Sequence, residues 1–246
     1  MKSNSYVITG ASSYLGKALV DFYCKTGNKV ILTSRSFCND LDKFQDENTL
    51  YLPSLNLVDG NDLKFLCKEV SKFFPKDKFH VINCVGFFPG YKLIEEMTIE
   101  EAIKVLESNV LTVFGVANQL IPLMRERGGG HFIGFSMHTS YQHYPYMALF
   151  SAAKNALESL IKGISNENLK YKIYANVISL ATLLTETEKR IKPYGDYDNW
   201  LKTEEVCEIV YNLINDSNGL VNGSIIHAYK YSKTFFEESY TSRISK

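Results

Sequence analysis

Tyr6-Val7-Ile8-Thr9-Gly10-Ala11-Ser12-Ser13-Tyr14-Leu15-Gly16 begins as a short apolar, β-branched run and halts at a glycine. It then passes into residues 15–24, where Leu15, Leu19, Phe22 and Tyr23 recur at helical spacing. That is strand, glycine turn, helix. Working outward, residues 29–34 and 50–57 read as a second and third strand, 62–74 as a helix and 80–85 as a fourth strand. Residues 99–127 read as helical, broken or bent near Pro122, and Gly128-Gly129-Gly130 stops them. A fifth strand is expected at 131–136, a helix started by Pro145 over 146–166, and further strands at 174–180 and 224–229. Alternating strands and helices predict an α/β fold, a doubly wound, seven-stranded and mostly parallel sheet with helices on both faces.

The 246 residues suffice for one large α/β unit, and no linker or internal repeat divides them, so residues 1–246 read as a single domain. With 45% hydrophobic and 22% charged residues, disorder and disulfide-scaffold classes are excluded. Lys plus Arg and Asp plus Glu both number 27, which argues against a nucleic-acid partner. The five cysteines are scattered, with no Cys-x-x-Cys pair, and no secretory signal precedes Tyr6, so a cytoplasmic setting is expected. Charge-free stretches at 108–124 and 131–153 are interrupted by Asn109, Asn118, Gln119, His138, Gln142 and His143, and no membrane span is expected. His131, His138 and His143 have no metal-ligand spacing, so no metal is expected. The polar segment 183–200, with Pro193 and Gly195, reads as a lid or substrate loop.

A glycine turn that opens a helix offers free N–H groups and a positive dipole end to a pyrophosphate. Thr9-Gly10-x-x-x-Tyr14-x-Gly16 resembles the Thr-Gly-x-x-x-Gly-x-Gly motif of the single-domain short-chain dehydrogenase/reductase family, with Tyr14 in the middle glycine's place. Asn83-Cys84-Val85-Gly86 is similar to Asn-Asn-Ala-Gly at the end of strand four, and Asn109 lies in a Ser-Asn-Val segment like the family's active-site Asn. Asn56-Leu57-Val58-Asp59 resembles the stretch that touches adenine, and Leu180 to Thr185 resembles Pro-Gly-x-x-x-Thr with Thr185 kept. Gly223-Ser224-Ile225-Ile226 is similar to the approach to the last strand. The resemblance implies a Rossmann-like domain with a nicotinamide cofactor on Gly10, Ser12, Ser13, Tyr14, Leu15, Gly16, Asn56, Leu57, Asn83, Val85, Gly86, Lys154 and Thr185. At the end of the second strand an acid would accept from a ribose 2′-hydroxyl, whereas Arg pairs with a 2′-phosphate. Here Ser34-Arg35 stands there, which favours NADP(H) over NAD(H).

In that family a Ser and the Tyr of Tyr-x-x-x-Lys stabilise and protonate the substrate oxygen. This chain reads Phe150-Ser151-Ala152-Ala153-Lys154, and the Ser position falls on Met137. Asn109 and Lys154 remain. Loss of a general acid costs about a hundred- to ten-thousand-fold. Nearby substitutes are Ser136, Tyr146, placed one helical turn before Phe150, and the titratable His138 and His143. The Met and aromatic cluster from Met137 to Phe150 suits either an apolar substrate pocket or core. The expected function is an atypical oxidoreductase on a small carbonyl or alcohol, in a biosynthetic pathway, with a small-molecule substrate. The alternatives are a cofactor-binding pseudoenzyme or subunit without turnover, and a non-redox isomerase, lyase or cyclase on the same scaffold. Helices 99–124 and 146–164 carry apolar residues on more than one face, and the resemblance implies a homodimer or homotetramer.

Overall fold

The computed structural model describes residues 4–138, 140, 144–215 and 219–230. Seven strands form one sheet: β1 (Ser5–Thr9), β2 (Lys29–Thr33), β3 (Thr49–Leu52), β4 (Phe79–Asn83), β5 (Gly130–Met137), β6 (Ile173–Leu180) and β7 (Ile225–Ala228). Their order is β3-β2-β1-β4-β5-β6-β7, and every pairing is parallel, where a mostly parallel sheet was expected. Side chains alternate between two buried faces. Val7, Ile31, Val81 and Phe132 pack on α3 (Gly60–Phe73), α5 (Thr112–Glu126) and α6 (Ala148–Asn168). Ile8, Leu32, Ile82 and Ile133 pack on α1 (Tyr14–Lys25), α2 (Asn39–Asp42) and α8 (Thr203–Asn215).

The structure departs from the sequence reading at four places. β3 ends at Leu52 rather than at residue 57, because Pro53 has no N–H for the ladder and Ser54 takes a φ of 62°. Pro122 does not break the helix but lies inside α5. The break comes earlier. α4 (Ile99–Leu106) passes into a π-helical turn, Glu107–Leu111, before α5 begins. Lastly, α6 starts at Ala148, since Tyr146 stands at a φ of 65° and Met147 is the cap residue. The 183–200 segment holds a short helix, α7 (Glu186–Ile191), and Leu183 bridges Leu201.

At the edge of the sheet where β1, β4 and β5 begin, four rings from adjacent strands form a ladder. Tyr6 lies 5.3 Å from His80, His80 5.4 Å from His131, and His131 5.3 Å from Tyr174, centroid to centroid. The backbone N–H of His131 donates to His80 Nδ1 at 3.1 Å, so that nitrogen must be unprotonated. Burial, aided by the like charges of neighbouring cations, holds both imidazoles neutral: His80 well below its ordinary value, and His131 at about 4. A histidine whose folded pKa is depressed binds its proton more readily in the unfolded chain. Its contribution is full above the unfolded pKa, 6.5, and is lost as pH falls toward the folded value. For His131 alone the loss is about 3 kcal/mol. Thermal unfolding should therefore show a flat midpoint above pH 7 and a steep fall between pH 6.5 and 4, and His131→Phe should make that fall shallower.

Candidate functional site

The strand order reverses between β1 and β4, and a cleft opens beyond the carboxyl ends of these strands. Its geometry begins at Gly10, at a φ of 69°, where a Cβ would stand 2.7 Å from the Val85 nitrogen and 2.8 Å from the Cys84 carbonyl carbon. Only a glycine lets the turn after β1 press against the end of β4. The chain then enters α1 through Ser13, whose Oγ accepts from the Gly16 N–H at 3.0 Å. The amides of Tyr14 and Leu15, which lack that cap, form the outward donors of the helix start. Tyr14 is 55% exposed and is not among the cleft-lining residues, so its side chain leaves the cleft open.

The cleft measures about 620 Å³, within the range of ligand pockets. Of the residues expected at a cofactor, Gly10, Ser12, Ser13, Ser34, Arg35, Asn56, Leu57, Val85 and Gly86 line it. The loop that replaces the end of the expected third strand supplies Leu55 to Val58 of its wall. Leu15 and Gly16 pack behind the helix start, both buried. Asn83 accepts from Thr9 Oγ1 at 2.5 Å and keeps a buried, unpaired Nδ2, and Thr185 caps α7 by accepting from the Glu188 N–H at 3.0 Å. Ser34 is committed elsewhere, its hydroxyl lying 2.6 Å from Ser36 O and 2.7 Å from Tyr51 Oη. Arg35 is exposed at the rim. The first acid after β2, Asp40, pairs with Lys17 at 2.7 Å, so no carboxylate from that segment competes for a ribose position. The cleft fits a dinucleotide on this evidence: a cradle that any Cβ would fill, a capped helix start, and a buried, unpaired Thr33 Oγ1 on its wall.

Deeper in, two polar side chains converge on Gly86. A Cβ there would stand 3.2 Å from Asn109 Oδ1 and 3.4 Å from Lys154 Nζ. Asn109 sits on the π turn, fully buried; its amide donates to Phe87 O at 2.8 Å and Val105 O at 2.9 Å. Lys154 Nζ donates to Phe135 O at 3.1 Å, and burial lowers its pKa to about 8 against the opposing influence of Glu158. Phe150 is 4% exposed, with its ring centroid 5.6 Å from Lys154 Nζ and 5.1 Å from the Phe88 ring. It is a hydrocarbon wall where a phenol was wanted.

The substitutes fare differently. The single O–H of Ser136 goes to Glu158 Oε1 at 2.5 Å, and Ser140 Oγ donates to the same oxygen at 2.7 Å. Tyr146 is not on the helix with Phe150 and Lys154, as was expected, but precedes it with its backbone turned to positive φ and its side chain 52% exposed. Met137 is half-buried and offers no proton. His138 Nδ1 lies 3.4 Å from Leu180 O, and burial lowers its pKa. His143 lies outside the described residues.

Residues 4–194 match the sequence profile described as short chain dehydrogenase. The chain belongs to the short-chain dehydrogenase family. It is 27% identical over 167 residues to an uncharacterised oxidoreductase of Staphylococcus haemolyticus, covering 67% of this chain and 71% of that protein. It is 24% identical over 234 residues to the NAD-dependent glycerol dehydrogenase of Listeria innocua, covering 88% and 89%. Among solved structures, a tyrosine-to-phenylalanine variant of ElxO with NADPH bound shares the fold, with a TM-score of 0.82 at 21% identity over 92% of this chain and 96% of the other.

For this short-chain dehydrogenase family member, the residues that sequence reading missed are Glu158 and Ser140. Glu158 is 7% exposed and follows Lys154 by one turn of α6, so extending the Phe150, Lys154 spacing by four more residues would have found it. Ser140 carries no such signal; Asn155 Nδ2 also holds its carbonyl, at 2.5 Å. The buried carboxylate depends on both hydroxyls. Ser136→Ala should therefore lower unfolding stability by about 1–3 kcal/mol in urea titration, the cost of depriving a buried charge of a donor.

Proposed function

We propose that the chain, acting as one unit over residues 1–246, binds NADP(H) in the cleft and interconverts a small carbonyl and its alcohol. What carries the reading is the convergence of Asn109 Oδ1 and Lys154 Nζ behind Gly86, which lines the same cleft as Arg35. In this reading Gly10, Ser12, Ser13 and the amides of Tyr14 and Leu15 receive the pyrophosphate, with Gly16 allowing the close packing behind them. Asn56 and Leu57 flank the base, Ser34 and Arg35 the ribose edge, and Val85, Gly86, Asn83, Lys154 and Thr185 the nicotinamide half. A reduced nicotinamide supplies a hydride to the carbonyl carbon. Residues 183–200, with α7 among them, cover the substrate. A biosynthetic role and a cytoplasmic setting belong to the same reading, supported by small-molecule chemistry and five free cysteines. No helix among the described residues is long and apolar enough to cross a membrane.

The 2′-phosphate preference rests on Arg35 and on the pairing of Asp40 with Lys17. Calorimetric titration should show NADPH binding more tightly than NADH. Arg35→Ala should weaken NADPH by about 10- to 100-fold and leave NADH nearly unchanged, as expected for one charge-assisted contact. Equal affinities in the unaltered protein would remove the preference.

A second reading, a dinucleotide-binding subunit without redox turnover, is favoured by Phe150 and by the commitment of the Ser136 proton to Glu158. If it holds, turnover on carbonyl substrates appears only after Phe150→Tyr and Met137→Ser are combined. Self-association is part of either reading. Leu111 and Phe114 near the π turn are 47% and 53% exposed, an apolar surface of the kind that a second copy covers. Light scattering at micromolar concentration should give a dimer or tetramer, and Phe114→Lys should shift it toward monomer.

A further inference from the structure

With no phenol at Phe150, the site still needs a group that can part with a proton, and the hydrogen bonds around it narrow the choice. Ser136 and Ser140 have one O–H each, and both donate to Glu158. Tyr146 lies before α6, and exposed. Asn109 spends its two amide protons on Phe87 O and Val105 O. Lys154 is different: an ammonium has three N–H bonds, and one is committed, to Phe135 O. No carboxylate lies within ion-pair distance of it among the described residues; the serines occupy the nearest, Glu158.

From this we propose that Lys154 is itself the acid and base of the reaction, passing a proton to the substrate oxygen directly or through one water beside the Phe150 ring. The inference rests on the redox reading above. In carbonyl reduction, the carbonyl carbon gains a hydride from a reduced nicotinamide dinucleotide, and its oxygen gains a proton from Nζ. One N–H bond breaks, one O–H bond forms, and the electron pair stays on nitrogen as a neutral amine, which regains its proton from solvent water. Alcohol oxidation runs the same steps in reverse. The surroundings keep such an amine poised. Phe135 O faces it from β5, Gly86 from the end of β4, Asn109 from the π turn and the Phe150 ring from its own helix. Glu158 is the one charge that acts on it, and it favours the ammonium. Burial opposes this and brings the amine to about 8, where both protonation states are populated near neutral pH.

Two measurements test the assignment. In isotopically labelled lysine NMR of the dinucleotide-bound protein, the signal missing from Lys154→Arg should titrate near pH 8 and at a lower pH in Glu158→Gln; a midpoint at or above 10 overturns the proposal. In kinetics, kcat/KM for alcohol oxidation should rise, and for carbonyl reduction fall, through that same midpoint. Lys154→Arg keeps a cation but holds its proton, so it should bind the dinucleotide within a few-fold of the unaltered protein and lose about 100-fold or more in turnover. Lys154→Met gives a second variant if the arginine is not accommodated. Turnover that survives Lys154→Arg, or ignores the lysine titration, sinks the inference and leaves the redox reading standing. Absence of turnover with bound dinucleotide sinks both.

Discussion

The approach of Gly10 to the Cys84–Val85 backbone governs what the rest of the molecule can do. The contact fixes how far the first turn folds over the end of β4, and with it the width of the cleft at the point where the strand order reverses. A side chain at Gly10 would meet a peptide nitrogen and a carbonyl carbon rather than a yielding side chain, so the turn would have to lift. The helix start, its capped amides and the wall from Leu55 to Val58 would lose their common focus. By contrast, the position of the family's middle glycine holds a side chain without filling the cleft. Tyr14 is the first residue of α1, and a side chain there leans outward instead of into the cleft.

Beyond that constraint, the site is organised by the number of hydrogen atoms available to buried polar groups. A carboxylate can only accept, and Glu158 accepts from two serines. A carboxamide has two protons, and Asn109 on the π turn uses one on Phe87 O of the loop after β4 and the other on Val105 O of α4. The hydroxyls of Ser136 and Ser140 are thus already committed within the protein. Phe150 packs on Phe88, which in turn packs on Tyr91 at 5.1 Å, so an aromatic wall continues from α6 into the loop after β4.

Much of the fold was legible because its signals are local. Short apolar runs in β1, β2 and β4, the glycine after Thr9, and the triple glycine after Arg127 each act within a few residues. Where local signals compete, reading failed. Residues 99–127 are helix-compatible throughout, and one extra residue in a turn leaves no compositional trace, so attention went to Pro122 while the interruption lay at Glu107–Leu111. Pro145 announces a helix start that the positive φ of Tyr146 postpones. In the site, Asn109, Lys154 and the cleft glycines could be named by their order along the chain. The partnership of Ser136 and Ser140 with Glu158 could not, since it joins residues 22 and 18 positions apart.

The ladder of Tyr6, His80, His131 and Tyr174 has a consequence for how the chain assembles. Its four rungs come from points spread over some two thirds of the sequence, and along the ladder each ring stacks on the next, with Tyr6 also packed on Tyr23 at 4.1 Å. Strands β1 and β4 can pair early, but the stack gains its third and fourth members only after β5 and β6 have been synthesised and docked. Such nonlocal closure is slow. During translation, the open end of the stack is a buried-type surface held in water, first at His80 and then at His131. The central strands thus depend on prompt arrival of the carboxyl-terminal half, and a pause in synthesis between β4 and β5 leaves the β4 edge of the sheet uncovered.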